Sequence, residues 1–386
     1  MMQAEIGPAR EADYDELMRL LDLCFGKAEQ YWFAAHNGVR YQRDGVHVGC
    51  NLIARKDGRI VSCVGVFPIV LHLGRESLRV AGVGGVCTHP AHRGGGLMRQ
   101  LMAEALRVIE EGDYEVSFLT GQRQRYAYWG WEKAGVSVRA AIVRENLRHH
   151  FGNDAPPREI TLSPVEVASE TPAGLKGLHD RLAIHAERRG ADFGRSLTHW
   201  GAATYVARDE AGGVCGYAVV AEDGREVSEL AARDVGTAVR LVRALVAKKG
   251  EVEVDIGPGG GELGSALGEF AENMRVRDVY NWKVLYWRRT LEVLLRHRCE
   301  IGPVAPGSVV LEIEGVARRM RMSVESGEAR VDWCDEASGL GMEEKTATRV
   351  LFGPVRPSHV IALPREAAVL DAWCPLPLWL GRQDHV

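Results

Sequence analysis

The sequence predicts an α/β (α+β) fold: two mixed-sheet units in tandem, followed by a smaller α+β unit. Three observations carry this reading. Residues 83–102, VGGVCTHPAHRGGGLMRQLM, pass from an apolar strand through a proline-marked exit and a glycine loop into a helix-periodic segment. A strand–strand–helix–strand order recurs between residues 203 and 256. Beyond Trp282 an amphipathic helix leads into alternating segments typical of a small antiparallel sheet. A chain of 386 residues is long enough for two or three domains, and the composition shifts place them at 1–150, 151–283 and 284–386.

The elements follow in order. Residues 5–9 suggest a short first strand. Asp13 and Glu16 make a capping-box-like start for a helix carrying Leu17, Leu20, Leu21 and Cys24, closed near Gly26. Residues 51–54 and 60–67 form a hairpin across Asp57-Gly58, a strong turn signal. Residues 69–73 pair with 77–80 and lead into the glycine loop. Leu97, Leu101, Ala105, Val108 and Ile109 give the next helix, stopped at Gly112, and 116–119 reads as a strand. Residues 152–165, rich in proline and polar side chains, read as a connection. Strands at 203–208 and 214–221, a helix at 234–249 and a strand at 252–256 make the second unit. Residues 257–264 hold five glycines but no adjacent cation, and Glu262 would repel a phosphate, so this is a turn. Then come a linker helix at 283–297, strands at 309–313, 320–324 and 329–333, and short helices at 346–352 and 364–370.

Bulk properties exclude several function classes. A formal charge of −4 provides no drive toward nucleic acid or an anionic membrane surface. Arg123, Arg125 and the aromatics of 126–131 could stack on single-stranded nucleic acid, but the overall acidity argues against it. No apolar run reaches membrane-spanning length, and the acidic, polar start is unlike a signal peptide, so a cytoplasmic location is expected. The eight cysteines lack a C-x-x-C pair and read as reduced core residues. His89 and His92 have a metal-like spacing without a third ligand, so no metal site is expected.

The chemistry sits in the glycine loop. A helix N-terminus offers unpaired N–H groups and a positive dipole end, and glycines let the backbone close on an anion. Arg93, Gly94, Gly95, Gly96, Leu97, Met98 and Arg99 therefore read as a pyrophosphate cradle, with the two arginines adding charge. It is neither a Walker A loop nor a G-x-G-x-x-G fingerprint. It resembles motif A of the GNAT N-acetyltransferases, Arg/Gln-x-x-Gly-x-Gly/Ala, with Arg93, Gly96 and Leu97 at the first, fourth and fifth places. Met98 stands where most of the superfamily has a small residue. That departure is similar to the enhanced intracellular survival acetyltransferases, whose run is close to His-Arg-x-x-Gly-Leu-Leu-Arg. A second block, 116–131, matches that family's segment with a tyrosine at Tyr126 and an aromatic-Gly-aromatic tail at Trp129, Gly130 and Trp131.

The resemblance implies tandem GNAT-type domains, the second degenerate, and a C-terminal domain like sterol carrier proteins. It implies acetyl-CoA as cosubstrate, no metal, and direct ternary-complex transfer of acetyl to a primary amine on a small molecule or peptide. Val86, Cys87 and Thr88 would hold the pantetheine and polarise the thioester carbonyl. Tyr126 would be the general acid for the departing thiolate. The terminal carboxylate, on Val386, would be the base, with Asp384 and His385 as rivals. Residues 30–33, Gln-Tyr-Trp-Phe, would border the acceptor pocket or clamp the local core. Relatives assemble as hexamers, so a homo-oligomer is implied. Two other readings stay open: a CoA-sensing or lipid-carrying regulator without turnover, and an acyltransferase acting on proteins or with longer acyl groups.

Overall fold

Asp57 and Gly58 both adopt left-handed backbone, φ 52° and 75°, the two-residue turn whose twist suits a hairpin. Strand Asn51–Lys56 therefore turns back directly as Arg59–Leu73. That second strand runs unbroken through Pro68 and pairs with Glu76–Thr88 along most of its length. The expected pairs at 60–67 and 69–73 are thus one long strand. The computed structural model describes residues 4–152, 156–165 and 174–386. It is a mixed α/β structure with three sheets.

The first sheet has the order Glu5–Pro8, Asn51–Lys56, Arg59–Leu73, Glu76–Thr88, Val116–Leu119, Asn281–Val284, Glu132–Lys133, with Ile184–Ala186 on the far end of the long strand. Within it only Glu76–Thr88 and Val116–Leu119 run parallel, joined by helix Leu97–Glu111. The second sheet runs Asn273–Arg277, Ser137–Val143, Glu251–Ile256, Glu226–Ala232, Val214–Val220, Ala203–Asp209, Ile160–Pro164. Its one parallel pair, Glu226–Ala232 with Glu251–Ile256, is again bridged by a helix, Val235–Lys249. The third sheet is Glu328–Cys334, Arg319–Glu325, Gly307–Ile313, Leu340–Met342.

Packing ties these layers together. Helix Leu97–Glu111 buries Leu101, Met102, Ala105 and Ile109 against Val61, Val64, Ala81 and Val83 of the first sheet. The opposite face of that sheet shares one core with the third sheet, from Leu17 and Leu21 through Phe67 and Phe118 to Leu311, Phe352 and Trp373. Helix Trp287–Glu300 lies between them, touching both the long strands of the first sheet and the strands of the third.

Several sequence readings need correction. Asp13 makes no cap for helix Tyr14–Cys24; its carboxylate accepts the Arg10 N–H at 2.8 Å in the preceding turn. Glu16 instead accepts the Ile60 N–H at 3.0 Å and ties the helix to the sheet. The linker helix begins at Trp287, because Asn281–Val284 is a strand that pairs with Val116–Leu119 and Glu132–Lys133. Within the expected connection at 152–165, Ile160–Pro164 is an edge strand, while 153–155 lie outside the described residues. The helix expected at 364–370 is a turn, Arg365–Ala367, followed by helix Leu370–Trp373. Gly257 makes room for Trp379: a Cβ on it would stand 3.0 Å from the ring. Among the described residues no helix is long and apolar enough to cross a membrane.

Candidate active site

The site starts from a mismatch in strand count. Cys63 pairs with Cys87 but Gly65 pairs with Gly84, so strand Glu76–Thr88 carries one extra residue there. Gly85 takes up the bulge at φ 61°, and a Cβ on it would come within 2.8 Å of the Tyr41 hydroxyl. The parallel ladder with Val116–Leu119 runs only from Val80↔Val116 to Val83↔Leu119. Beyond it the strand continues to Thr88 paired only with Arg59–Leu73, and its side toward Val116–Leu119 is left open.

Val86, Cys87, Thr88, Arg93, Gly94, Gly96, Leu97 and Met98 all line one cavity of about 550 Å3 at this opening. Gly95 and Arg99, also expected in the cradle, are exposed outside its lining. Gly94 and Gly96 are left-handed, φ 81° and 77°, and a Cβ on either would meet nothing within 4 Å. Gly96 is the N-cap of helix Leu97–Glu111, and no side chain caps that end. The Arg93 Nε donates to the Thr88 carbonyl at 3.3 Å, which bends the loop back over the strand end. A negatively charged group thus meets an uncapped helix terminus and a guanidinium, with no side chain in the way. The sequence missed Cys24, Phe25 and Arg125 in the same wall. A hydrogen bond from the Cys87 thiol lowers Cys24, and the same contact raises Cys87.

Tyr126 lies on the short helix Arg123–Ala127 with its ring buried. The helix is held by the Arg123–Glu132 ion pair. The ring lies over Gly121, where a Cβ would be 2.9 Å from it. Burial pushes the Tyr126 phenol above its ordinary range, partly offset by the neighbouring Arg125. Tyr128, by contrast, is exposed.

The tail reaches the same strand from the other side. Val386 is buried, and its side chain and backbone carbon fill the space that side chains at Gly82 and Gly84 would occupy, at 2.8 Å and 2.9 Å. The preceding residues are clamped by side chains from both units. Arg188 donates to both oxygens of Asp384 at 2.8 Å and to both oxygens of Glu229, while Tyr217 donates to Glu229 at 2.6 Å. The Gln383 carbonyl accepts from His199 Nδ1 at 2.7 Å, and Arg40 donates to the Asp384 carbonyl at 3.3 Å. Burial alone would raise the Asp384 and Glu229 carboxyls, but Arg188 outweighs it and holds both below their ordinary values. His179, Glu229 and Asp384 cluster tightly enough for a metal ion, yet the Arg188 guanidinium already pairs with both carboxylates.

A second cavity, about 600 Å3, opens between the first and second sheets, and His385, the neighbour of Val386, lines it. Thr120, Gly121 and Trp32 face it as well, whereas Phe33 packs into the core. Within the 30–33 segment, Trp32 thus borders a cavity while Phe33 packs in the core. Burial, with His199 and Arg382 nearby, lowers His385 to about 3, so it is a weak proton acceptor at neutral pH. Asp384 is fully engaged by Arg188.

Residues 5–134 match the acetyltransferase (GNAT) domain, the stretch that holds the bulged strand, the cradle and Tyr126. Solved structures similar to this chain extend over nearly its whole length. One is a GCN5-related N-acetyltransferase from Anabaena variabilis ATCC 29413, at TM-score 0.71 and 18% identity, covering 98% of this chain and 99% of that one. Another, from Kribbella flavida, gives TM-score 0.62 and 20% identity over 90% and 89%. Eis1 from Mycobacterium abscessus gives TM-score 0.63 and 15% identity over 96% of each. At these identities the likeness is one of fold. No curated protein sequence matches the chain.

Proposed function

We propose that this chain is an N-acetyltransferase that moves acetyl from acetyl-CoA directly to a primary amine. One observation carries the reading: Val386 packs on Gly82 and Gly84 of the strand whose end, Val86–Thr88, lines the cradle cavity, while its neighbour His385 lines the second cavity. GNAT domains use acetyl-CoA as cosubstrate, and the open left-handed glycines and uncapped helix end suit its pyrophosphate. In this reading the first sheet with its cradle is the catalytic unit, the second sheet a GNAT-like unit without a cradle, and the third the C-terminal unit.

The chain's own groups would divide the work as follows. Backbone N–H groups of 93–98, with Arg93, hold the pyrophosphate. The strand end at Val86–Thr88, freed of its parallel partner, holds the pantetheine and polarises the thioester carbonyl. An amine is mostly protonated at neutral pH and must lose a proton before it attacks. The Val386 carboxylate, held at Gly84, takes that proton. A C–N bond forms, the C–S bond breaks, Tyr126 gives its proton to the departing sulfur, and the second proton lost by the new amide nitrogen makes good that of Tyr126 through solvent. A phenol held above its ordinary range keeps that proton throughout the neutral range.

Tyr126→Phe tests the assignment. It should lower turnover roughly a hundredfold or more, in line with the loss of a general acid, with acetyl-CoA affinity nearly unchanged by calorimetry. Comparable loss of both would show the ring to be a packing element. Acetyl-CoA binding without thiol release on any amine would favour the CoA-sensing reading instead.

A further inference from the structure

The walls of the second cavity restrict what it can hold, on the reading that this is the acceptor site. Six non-glycine residues among those described have left-handed backbone; Asp57, Asp113 and Ser326 are small polar residues, and the other three are Tyr31, Trp200 and Tyr280. Large aromatic side chains take that conformation only under strain, which collects where a fold must aim a particular group. Trp200 and Tyr280 line the cavity, and Tyr31 immediately precedes Trp32, which lines it too. Ring contacts link Trp32 to Trp200 at 5.7 Å, Trp200 to His385 at 5.5 Å, and His385 to Tyr280 at 5.7 Å in a stack. The result is one continuous aromatic wall. Its Trp32 face already carries a cation, the Lys27 ammonium 3.6 Å above the ring.

The charges in the same cavity are nearly balanced. Glu226 is neutralised twice, by Arg139 at 2.8 Å and Arg382 at 2.7 Å. Asp278 pairs with Lys133 at 3.1 Å. Two carboxylates remain against Lys27 and Arg277: Asp255, which burial pushes toward its neutral form, and Glu222, which makes no ion pair with a described residue. A ligand with several ammonium groups would find no carboxylate left over once Lys27 and Arg277 are counted, and would meet both of those cations. A flat ring bearing one amine would meet aromatic faces and bring only one charge to compensate.

We infer that the acceptor is a monoamine carried on an aromatic ring, gripped by the Trp200–His385–Tyr280 part of this wall, and not a polycation. Stacking on the wall places the ring, and the amine is left to reach toward Val386 beyond His385.

The test is calorimetric titration of the full chain, loaded with CoA, with phenethylamine, n-butylamine and spermine. Phenethylamine should bind about tenfold or more tighter than either of the others. Trp200→Ala should remove that preference with CoA affinity unchanged, and Trp200→Phe should restore most of it. Spermine binding as tightly as phenethylamine, no binding of phenethylamine, or a preference that survives in Trp200→Ala would each overturn the inference. Should Trp200→Ala fail to fold, the three-ligand comparison on the unmodified chain decides alone. Thiol release, measured separately, tests the parent reading: phenethylamine that binds with the expected preference while no amine releases thiol would sink the transferase assignment and leave the ligand class standing.

Discussion

A Gly84→Val variant should lose acetyl transfer by roughly two orders of magnitude, the scale on which a reacting group displaced by about 1 Å costs rate, and it should still bind acetyl-CoA. The first added carbon alone would stand 2.9 Å from the Val386 backbone carbon and 3.1 Å from its side chain. The position is a regular strand site, with no left-handed backbone to strain, so the effect comes from what is displaced. The strand cannot give way easily, because Glu76–Thr88 is paired on both sides at that level or just before it. The tail therefore has to move, and the carboxylate with it. Gly7→Ala, in edge strand Glu5–Pro8 with nothing within 4 Å, is the control and should leave turnover unchanged. Thiol release against acetyl-CoA concentration, together with CoA calorimetry, separates the two parameters. Full turnover in Gly84→Val would remove the tail from the mechanism.

Arg188→Met should destabilise the chain by on the order of 3–5 kcal/mol, the cost of leaving a buried charge without its partner. Arg188, Glu229 and Asp384 are 3%, 7% and 5% exposed, so solvent screens little of the loss. The pH dependence has a definite sign. In the native chain both carboxyls lie below their ordinary values of 3.8 and 4.5, so their stabilising contribution is present above those values. It fades as pH falls through the lower folded-state values. Without Arg188, burial is opposed only by His179 at both carboxyls and Arg40 at Asp384, and it favours the protonated acids, so the variant weakens as pH rises. The gap in Tm between native and variant should widen from about pH 4 to pH 8, with most of the change in the acid half. A gap that does not move with pH would mean that Arg188 acts by packing alone. The variant's turnover should fall with its stability restored by low temperature, because Asp384 is two residues from Val386 and its anchor is gone.

What could be read from the sequence was local. The cradle, the Asp57-Gly58 turn and the helix that follows Gly96 are each specified within a dozen residues, where glycine freedom and helical spacing act directly. Tyr126 was legible because its aromatic neighbours repeat a family segment. The tail clamp was not, since Arg188 and Asp384 lie 196 residues apart and nothing in either stretch announces the other. Strand Glu226–Ala232 escaped for a related reason. Its Glu226, Ser228 and Glu229 are all buried, so the apolar alternation that marks a strand is replaced by polar side chains whose partners come from distant segments. Lys283 and Val284, the end of strand Asn281–Val284, were read as the start of a helix because Val284 fits the helical spacing that follows. Only the open place between Val116–Leu119 and Glu132–Lys133 makes them part of a strand. The aromatic wall was half visible: Trp32 stood out, but Trp200, Tyr280 and His385 come from three separate parts of the chain.

The borrowed strand has a practical consequence. Asn281–Val284 is an interior member of the first sheet, yet it is encoded almost 150 residues beyond the end of the stretch that matches the acetyltransferase domain at 5–134. Ser137–Val143, which follows that stretch directly, belongs to the second sheet. A gene fragment cut at the edge of the matched stretch would thus make a sheet with a slot in it, open beside the very strand that flanks the cleft. Such a piece could not be transplanted into another protein as a working cassette, and proteolytic nicking between the two units should release no stable catalytic fragment.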